Sequence, residues 1–101
     1  MGVSDAIVSG RKVVASSATA ERLSTTQTNA KWVLIQPETD NTGVILVGGN
    51  STLSHAATAR TGIVLTALDS PVPFTVRDLR DLWLLCSVDG DGVTYVYMQK
   101  A

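Results

Sequence analysis

The sequence predicts a protein of the all-β class, folded as a single-domain β-sandwich or jelly-roll-like barrel with an extended N-terminal arm. Short apolar runs recur along the chain, and each is ended by Gly, Pro, Asn or Asp, which is typical of strands separated by turns. A length of 101 residues suffices for one hydrophobic core but not for two. A total of about eight strands with one long connection favours a sandwich or a jelly roll over a meander.

The first elements are built from small residues. Residues 1–10 are short and mixed in character, so we expect a flexible N-terminal arm there that a neighbouring molecule orders, with the β-sandwich domain over residues 11–101. The first strand is expected over residues 11–15. The Ser-, Thr- and Ala-rich stretch that follows favours an edge strand and loop around residues 21–23 over a short helix at residues 19–23.

The most apolar run lies in the first half of the chain. Residues 31–36 are apolar on both strand faces, and Pro37 cannot donate to a ladder, so this run predicts a central strand that ends there. Its expected partner covers residues 43–47. The polar segment between the two predicts a wide turn with a positive φ at Asn41 or Gly43.

The second half begins with a long connection. Residues 51–61 are small or polar, contain the only histidine, and are expected to run over the surface. Residues 62–65 resume the strand pattern. Pro71 and Pro73 confine the next run, residues 72–76, to a sheet edge or a strand start.

The chain ends in a pattern that predicts a hairpin. Two apolar runs, residues 82–88 and 93–98, flank the sequence Asp89-Gly90-Asp91-Gly92. We interpret this sequence as a tight turn in which the glycines supply positive φ and the aspartates accept hydrogen bonds from backbone amides. A calcium loop begins with the same carboxylate spacing, but no bidentate glutamate follows at the required distance.

The composition predicts a largely aliphatic core. Hydrophobic residues make up 45% of the chain, whereas aromatic residues make up only 5%. The core must therefore be built from Val, Leu, Ile and Ala, with Trp32, Phe74 and Trp83 as its large side chains. We expect both tryptophans in the core rather than at a subunit contact. The single Cys86 lies in an apolar strand and is expected to be a small buried hydrophobe.

The sequence offers no pattern that predicts catalysis or metal binding. His55, Ser51, Ser54 and Asp69 supply the residue types of a hydrolase triad, but no Gly-x-Ser-x-Gly elbow is present. One His and one Cys are too few soft ligands for zinc. We therefore expect neither an enzyme nor a cofactor or metal site.

Charge and hydropathy exclude two classes of partner. The net charge is -1, and the eight basic residues are scattered along the chain, whereas nucleic-acid binding needs a basic stripe. No apolar run approaches the ~20 residues of a membrane span. The N-terminus has no secretion signal, and the absence of a cysteine pair fits a chain folded in a reducing cytoplasm.

Several motifs follow one another in a defined order. They are an apolar strand, an Asn-x-Gly turn that leads into a strand ending in Val-Gly, a Gly-Ile-x-Leu step, Asp-Leu before an aromatic strand, and a final Gly-Asp-Gly-Val-x-Tyr segment. Here they occupy residues 32–36, 41–43, 44–48, 62–65, 81–83 and 90–95. This order resembles that of a group of small virion proteins of tailed bacteriophages and prophages.

The resemblance implies that the chain functions as part of a larger assembly. It implies a homotrimeric β-sandwich or jelly-roll subunit that is made in the host bacterial cytoplasm and binds the major capsid protein on the outside of a phage head, as a decoration or cement protein. The N-terminal arm is then expected to grip the capsid. Its candidate contact residues are Val3, Ile7, Val8, Arg11 and Lys12.

The charged segment Arg77, Asp78, Arg80 and Asp81 allows two interpretations. It is either a solvated edge whose alternating charges discourage strand pairing, or a set of reciprocal ion pairs across a symmetric subunit interface. The sequence leaves both open.

An alternative function is a phage tail or fibre-base module that binds a host surface glycan. Trp32, Tyr95 or Tyr97 would then be the stacking platform. Tyr95 and Tyr97 share one strand face, which suits either a sugar platform or a core. A small hydrolase is a third hypothesis with less support.

Overall fold

The structure is a computed structural model that describes residues 6–56, 58 and 60–100. It contains eight strands and a one-turn 3₁₀ helix in the described residues. The strands are β1 (Ala6–Val13), β2 (Glu21–Arg22), β3 (Ala30–Pro37), β4 (Ile45–Gly48), β5 (Ile63–Leu65), β6 (Val72–Phe74), β7 (Trp83–Cys86) and β8 (Gly92–Gln99), and the 3₁₀ helix covers Leu79–Asp81.

The strands form two antiparallel sheets, which confirms the all-β class. Sheet A has the order β1-β8-β3-β6, and sheet B has the order β2-β7-β4-β5. A cluster of buried side chains drawn from both sheets forms the core. The segment around β2 is an edge strand as expected, and β6, with Pro73 at its centre, also lies at a sheet edge.

The core is aliphatic, but neither tryptophan belongs to it. Ile35, Ile45 and Leu84 are among its largest fully buried side chains, and Phe74 packs against the cluster. Trp32 and Trp83 are only half-buried and point to the outer faces of the two sheets. The expectation of core packing for both tryptophans was therefore wrong, because the alternation of their strands directs Val33 and Leu84 inward instead.

Two predicted strand pairs do not form. β3 is a central strand as expected, but it pairs with β8 and β6 rather than with β4, which pairs with β5 and β7 in the other sheet. The closing hairpin is also absent, since β7 belongs to sheet B and β8 to sheet A. Among the connections between the described strands, only that between β4 and β5 joins strands of one sheet. Each of the others crosses between the sheets, and the two turns that resembled hairpin turns are crossovers.

The turn chemistry was predicted in part. Gly90 has a positive φ of 90°, and Asp89 and Asp91 both accept hydrogen bonds from backbone amides, as expected for this turn. Asn41 and Gly43 do not have the positive φ that was predicted for one of them. Among the described residues, positive φ occurs only at Gly62 and Gly90.

The N-terminal segment differs from the flexible arm that was expected. Residues 6–10 form the first part of β1, which pairs with β8 over its whole length from Ala6 opposite Gln99 to Val13 opposite Gly92. The first strand thus begins before the domain boundary predicted at residue 11. Residues 1–5 lie outside the described residues. None of the helical turns in the described chain has the length and hydrophobicity needed to cross a bilayer.

Candidate docking surface

The outer face of sheet A is a continuous surface built from alternate residues of its four strands. Directly paired residues lie side by side on one face of a sheet, so the register defines three rows across it. They are Ile7–Met98–Trp32, Ser9–Val96–Leu34–Pro73 and Arg11–Thr94–Gln36. We call these ten residues the open face.

The open face has an apolar part and a polar end. Two of its rows are almost entirely apolar, and only Ser9 interrupts them. Ile7 exposes 56% of its surface, while Trp32, Leu34, Val96 and Met98 are half-buried. Large contiguous apolar patches on protein surfaces mark interaction sites, so the open face is the candidate docking surface of this chain.

The outer face of sheet B is covered by the chain itself. Leu46 and Leu85 lie opposite each other on that face and are 0% and 4% exposed. The long connection between β4 and β5 lies against it, because a Cβ on Gly48 would meet the side chain of Leu53. The same connection extends to the far edge of the sheet, where His55 Nε2 donates to the backbone carbonyl of Ser17 at 3.0 Å.

No described segment covers the outer face of sheet A in this way, and the apolar rows of that face remain half-exposed. The two sheets therefore differ in one functional respect. Both faces of sheet B are buried against other parts of the same chain, whereas sheet A has one face buried in the core and one half-exposed outer face.

The polar end of the open face is held by an ion pair. Arg11 donates from Nε and Nη2 to the two carboxylate oxygens of Glu38, at 2.7 and 3.0 Å. This bidentate contact, with the positive charge it brings, lowers the pKa of Glu38 below its usual value. The guanidinium thus has a partner in its own chain.

Lys12 is also paired within the chain. It lies on the inner side of sheet A, and its Nζ donates to Glu21 Oε1 at 2.8 Å. The other oxygen of Glu21 accepts from the backbone amide of Ala15 at 2.8 Å. The hydrogen bonds from Lys12 and Ala15 lower the pKa of Glu21. This contact ties the end of β1 to β2, across the gap between the two sheets.

Of the five residues predicted to grip a capsid, the four that the structure describes do not form one surface. Ile7 and Arg11 lie on the open face, whereas Val8 and Lys12 lie on the inner side, opposite Tyr97 and Val93. Val3 lies outside the described residues. Alternation along a strand separates these side chains, and it would not do so along a flexible arm.

The charged segment forms a local structure. Asp78 caps the 3₁₀ helix and accepts from the backbone amides of Thr28 and Arg80, at 3.1 and 3.0 Å. The Arg80 side chain donates to Asp78 Oδ2 through Nε and Nη2, at 3.1 and 2.9 Å. The backbone amide and the guanidinium of Arg80 lower the pKa of Asp78 to about 2.

Two of the four residues predicted at a subunit interface, Asp78 and Arg80, thus pair with each other inside one chain. The other two, Arg77 and Asp81, are exposed. The backbone carbonyl of Arg77 accepts from the amide of Ala30 at 2.9 Å. The segment lies along the chain between β6 of sheet A and β7 of sheet B, and this hydrogen bond ties it to the start of β3.

Tyr95 and Tyr97 face the core. Their ring centroids lie 6.1 Å apart with an interplanar angle of 27°, and both rings pack against the buried cluster. Burial raises the pKa of Tyr95. These rings do not form the exposed sugar platform that one hypothesis required, and of the three candidate platform residues only Trp32 lies on the open face.

The chemical candidates occupy structural positions. His55 binds a backbone carbonyl rather than a serine or aspartate side chain, and its contact holds the long connection in place. Asp91 is buried and accepts from the amides of Thr42 and Gly43. In the part of the chain that the structure describes, no group of three or more His, Cys, Asp and Glu side chains is arranged to hold a metal ion.

The amino-acid sequence does not identify the open face as a surface. Its central residues, Leu34, Val96 and Met98, belong to apolar runs that predict strands without saying which side is outside. The available signal was the run over residues 31–36, which is apolar at successive positions although only one of its faces reaches the core.

The chain matches no protein-family model, and no curated protein or solved structure is significantly similar to it.

Proposed function

We propose that this protein is a non-enzymatic structural subunit of the jelly-roll type that docks onto a larger assembly through its open face. The assembly we propose is the outer shell of a phage head, on which the chain acts as a decoration protein that binds the major capsid protein. The observation that carries the proposal is the apolar outer face of sheet A, which the described residues leave half-exposed while they cover the equivalent face of sheet B.

The strand order supports a jelly roll. Four of the strand pairs are β1 with β8, β2 with β7, β3 with β6 and β4 with β5. Each strand of the first half thus pairs with its counterpart counted from the other end of the chain. This is the pairing that results when one long antiparallel ribbon is rolled into two sheets.

Docking of the open face is favoured by the burial of its apolar rows. Each square ångström of apolar surface removed from water contributes about 25 cal/mol. Association and side-chain ordering offset much of that gain, so a single small contact is weak. A subunit that binds two or more positions of a capsid lattice at once gains affinity from each further contact. This suits a small protein that reinforces a shell.

The position on the capsid exterior and the trimeric state implied by the resemblance are parts of this proposal. The motifs over residues 30–98 support both, since they occur in the order found in virion proteins of tailed phages. The bidentate Arg11–Glu38 pair at the end of the face sets a polar boundary for the contact.

The experiment is co-sedimentation with expanded, empty tailed-phage capsids. We expect Leu34→Glu and Val96→Lys, both at the centre of the open face, to lower capsid binding at least tenfold. The matched control is Leu68→Glu, since Leu68 is an apolar residue that is 91% exposed in the turn before β6. The proposal fails if all three variants stay folded and bind capsids as the unmodified chain does.

Trp32 supports a second candidate, a tail module that binds a host glycan. Its indole lies on the open face beside Met98, and an aromatic ring on an accessible surface can stack on a sugar. Binding to isolated cell-wall glycan that Trp32→Ala abolishes, without binding to capsids, would favour this candidate over the first.

A further inference from the structure

The four sheet edges in the described part of the chain differ in how they are protected. β2 has two residues and β5 has three, so each exposes little backbone. β6 also has three residues, with Pro73 at its centre. β1 is an edge of eight residues without proline, and its register with β8 is unbroken. Long, regular edge strands are templates for pairing with another chain.

The hydrogen bond just after the end of β1 shows which residues of this strand have open backbone groups, that is, N–H and C=O groups that point away from β8. Val14 donates to the carbonyl of Asp91 at 2.9 Å, and these residues are opposite because Val13 pairs with Gly92. Hydrogen-bonded and non-bonded pairs alternate along an antiparallel ladder. The residues whose N–H and C=O groups point away from β8 are therefore Ile7, Ser9, Arg11 and Val13. All four are exposed.

The charges on β1 do not protect this edge. Arg11 and Lys12 are its only charged residues, and both are neutralised inside the chain by Glu38 and Glu21. An edge that carries unpaired charges repels a second strand, and this edge lacks that repulsion. Its exposed large apolar side chains are Ile7, at 56%, and Val13, at 38%.

We infer that β1 pairs with β1 of a second copy of this chain, antiparallel and about a two-fold axis at Gly10. In this register Ile7 lies opposite Val13 of the partner subunit, and Ser9 lies opposite Arg11 of the partner subunit. The two four-stranded sheets become one sheet of eight strands, and the open faces of the two copies join into one surface.

The occupant is a second copy because β1 is self-complementary about Gly10. The open groups of Ile7 and Val13 lie three residues on either side of it, and those of Ser9 and Arg11 lie one residue on either side. Every open N–H therefore meets an open C=O, which allows about eight hydrogen bonds in this pair. The two exposed apolar side chains meet each other as well.

Gly10 suits the axis of such a pair. At a non-hydrogen-bonded position the Cα atoms of opposite residues approach to about 4.5 Å. The side of Gly10 that a Cβ would occupy is filled by the Tyr95 ring of the same chain. Glycine at residue 10 therefore leaves room for this ring and places no side chain between the two copies where their backbones are closest.

The first test is the mass of the full chain in solution. We expect particles of two chains, or of six where a three-fold contact also forms. Ser9→Pro removes an N–H that points away from β8 and leaves every hydrogen bond to β8 in place. It should therefore convert a particle of two chains into single chains, or a particle of six chains into particles of three. Leu68→Glu, far along the chain from β1, should leave the mass unchanged.

The second test fixes the register. A chain with both Ile7→Cys and Val13→Cys should form disulfide-linked dimers on mild oxidation. The two positions are six residues apart in one strand, about 20 Å, so they cannot bridge within a chain. Either single variant alone should give no dimer, because the two equivalent cysteines would then lie equally far apart, and the native Cys86 is buried.

The inference does not rest on the proposed function, and the two can fail separately. A monomer, a particle of three chains only, or a double-cysteine chain that does not crosslink overturns the pairing of β1 and leaves docking of the open face on a capsid intact. A particle of two chains supports the pairing of β1 and overturns the trimeric part of the proposed function, which a monomer overturns as well. Crosslinked dimers that fail to bind capsids overturn the proposed function and leave the pairing of β1 intact.

Discussion

The carboxylate of Asp91 accepts a hydrogen bond from the backbone amide of Gly43 at 2.8 Å. Asp91 immediately precedes β8 in sheet A, and Gly43 lies just before β4 in sheet B, so this bond links the two sheets at one end of the sandwich. A second link is reciprocal. The Asn41 side chain donates to the carbonyl of Gly92 and accepts from its amide, both at 2.9 Å.

Replacing Asp91 should destabilise the protein. Asp91→Ala leaves the amides of Thr42 and Gly43 without their acceptor at a site where Asp91 is only 6% exposed. We expect the free energy of unfolding to fall by about 2–3 kcal/mol, the loss typical of a buried hydrogen-bonded group. Urea denaturation measures it. The control is Asp89→Ala, which removes an exposed acceptor from Ser17 in the same turn and should have an effect below ~1 kcal/mol. Equal losses in the two variants would show that the link between the sheets is unimportant.

A methyl group at Gly10 should strain the core. A Cβ there would overlap the Tyr95 ring, with 2.5 Å to its hydroxyl oxygen. We expect Gly10→Ala to lower the free energy of unfolding by about 1–3 kcal/mol, as overpacking does. Gly49→Ala is the control, because nothing lies within 4 Å of a Cβ at that position.

The strain at Gly10 should depend on the ring it meets. In a Tyr95→Ala background, adding Gly10→Ala should lower the free energy of unfolding by less than it does in the unmodified chain, since the two residues are in contact. Additive losses in this double-mutant cycle would contradict the assigned clash.

The Asp78 cap should contribute stability that acid removes. The pKa of Asp78 is lowered from 3.8 to about 2 in the folded protein, so the folded state binds the proton less readily than the unfolded chain does. This stabilisation is complete above the unfolded value and is lost as the pH falls toward the folded value. The difference in unfolding free energy between the native chain and Asp78→Asn should therefore be constant from pH 7 to pH 5. It should decrease between about pH 4 and pH 2.

Denaturant midpoints at several pH values measure that difference. Asp81→Asn, on the same helical turn, controls for the loss of one negative charge. A difference that does not change between pH 5 and pH 2 would show that the Arg80 contact does not stabilise the ionised form of Asp78.

The thiol of Cys86 should be unreactive in the folded protein. Cys86 is buried in β7, and burial, followed by the nearby charges of Asp89 and Asp91, raises its pKa. We expect its labelling by a disulfide reagent to be at least ~100-fold slower than that of a cysteine introduced at the exposed Ser70, because the thiolate is the reactive form. Addition of denaturant should equalise the two rates. Rapid labelling of Cys86 in native buffer would contradict its placement in the core.

The sequence alone predicted the local features of this protein. Pro73 identified an edge strand, the glycines and aspartates before β8 identified a turn, and Cys86 was recognised as a core residue. Each of these depends on a property of one residue or its immediate neighbours, such as a missing amide hydrogen, a permissive φ or an apolar side chain.

Pairing between strands could not be predicted in the same way. The segments before β4 and before β8 contain turn residues typical of hairpins, but the pairing depends on partners far along the chain, such as β1 for β8 and β7 for β4. The carboxylate of Asp91 holds its turn as a crossover by binding amides 48 and 49 positions away. Such contacts leave no local pattern.

The sequence by itself determined that residues 31–36 form an apolar strand inside an all-β domain, because Trp32 to Ile35 are all apolar and Pro37 ends the ladder. Only the tertiary structure decided that Val33 and Ile35 face the core while Trp32 and Leu34 face outward. The physical reason is that a strand directs successive side chains to opposite faces. When both sets of side chains are apolar, the packing of the second sheet decides which set is buried.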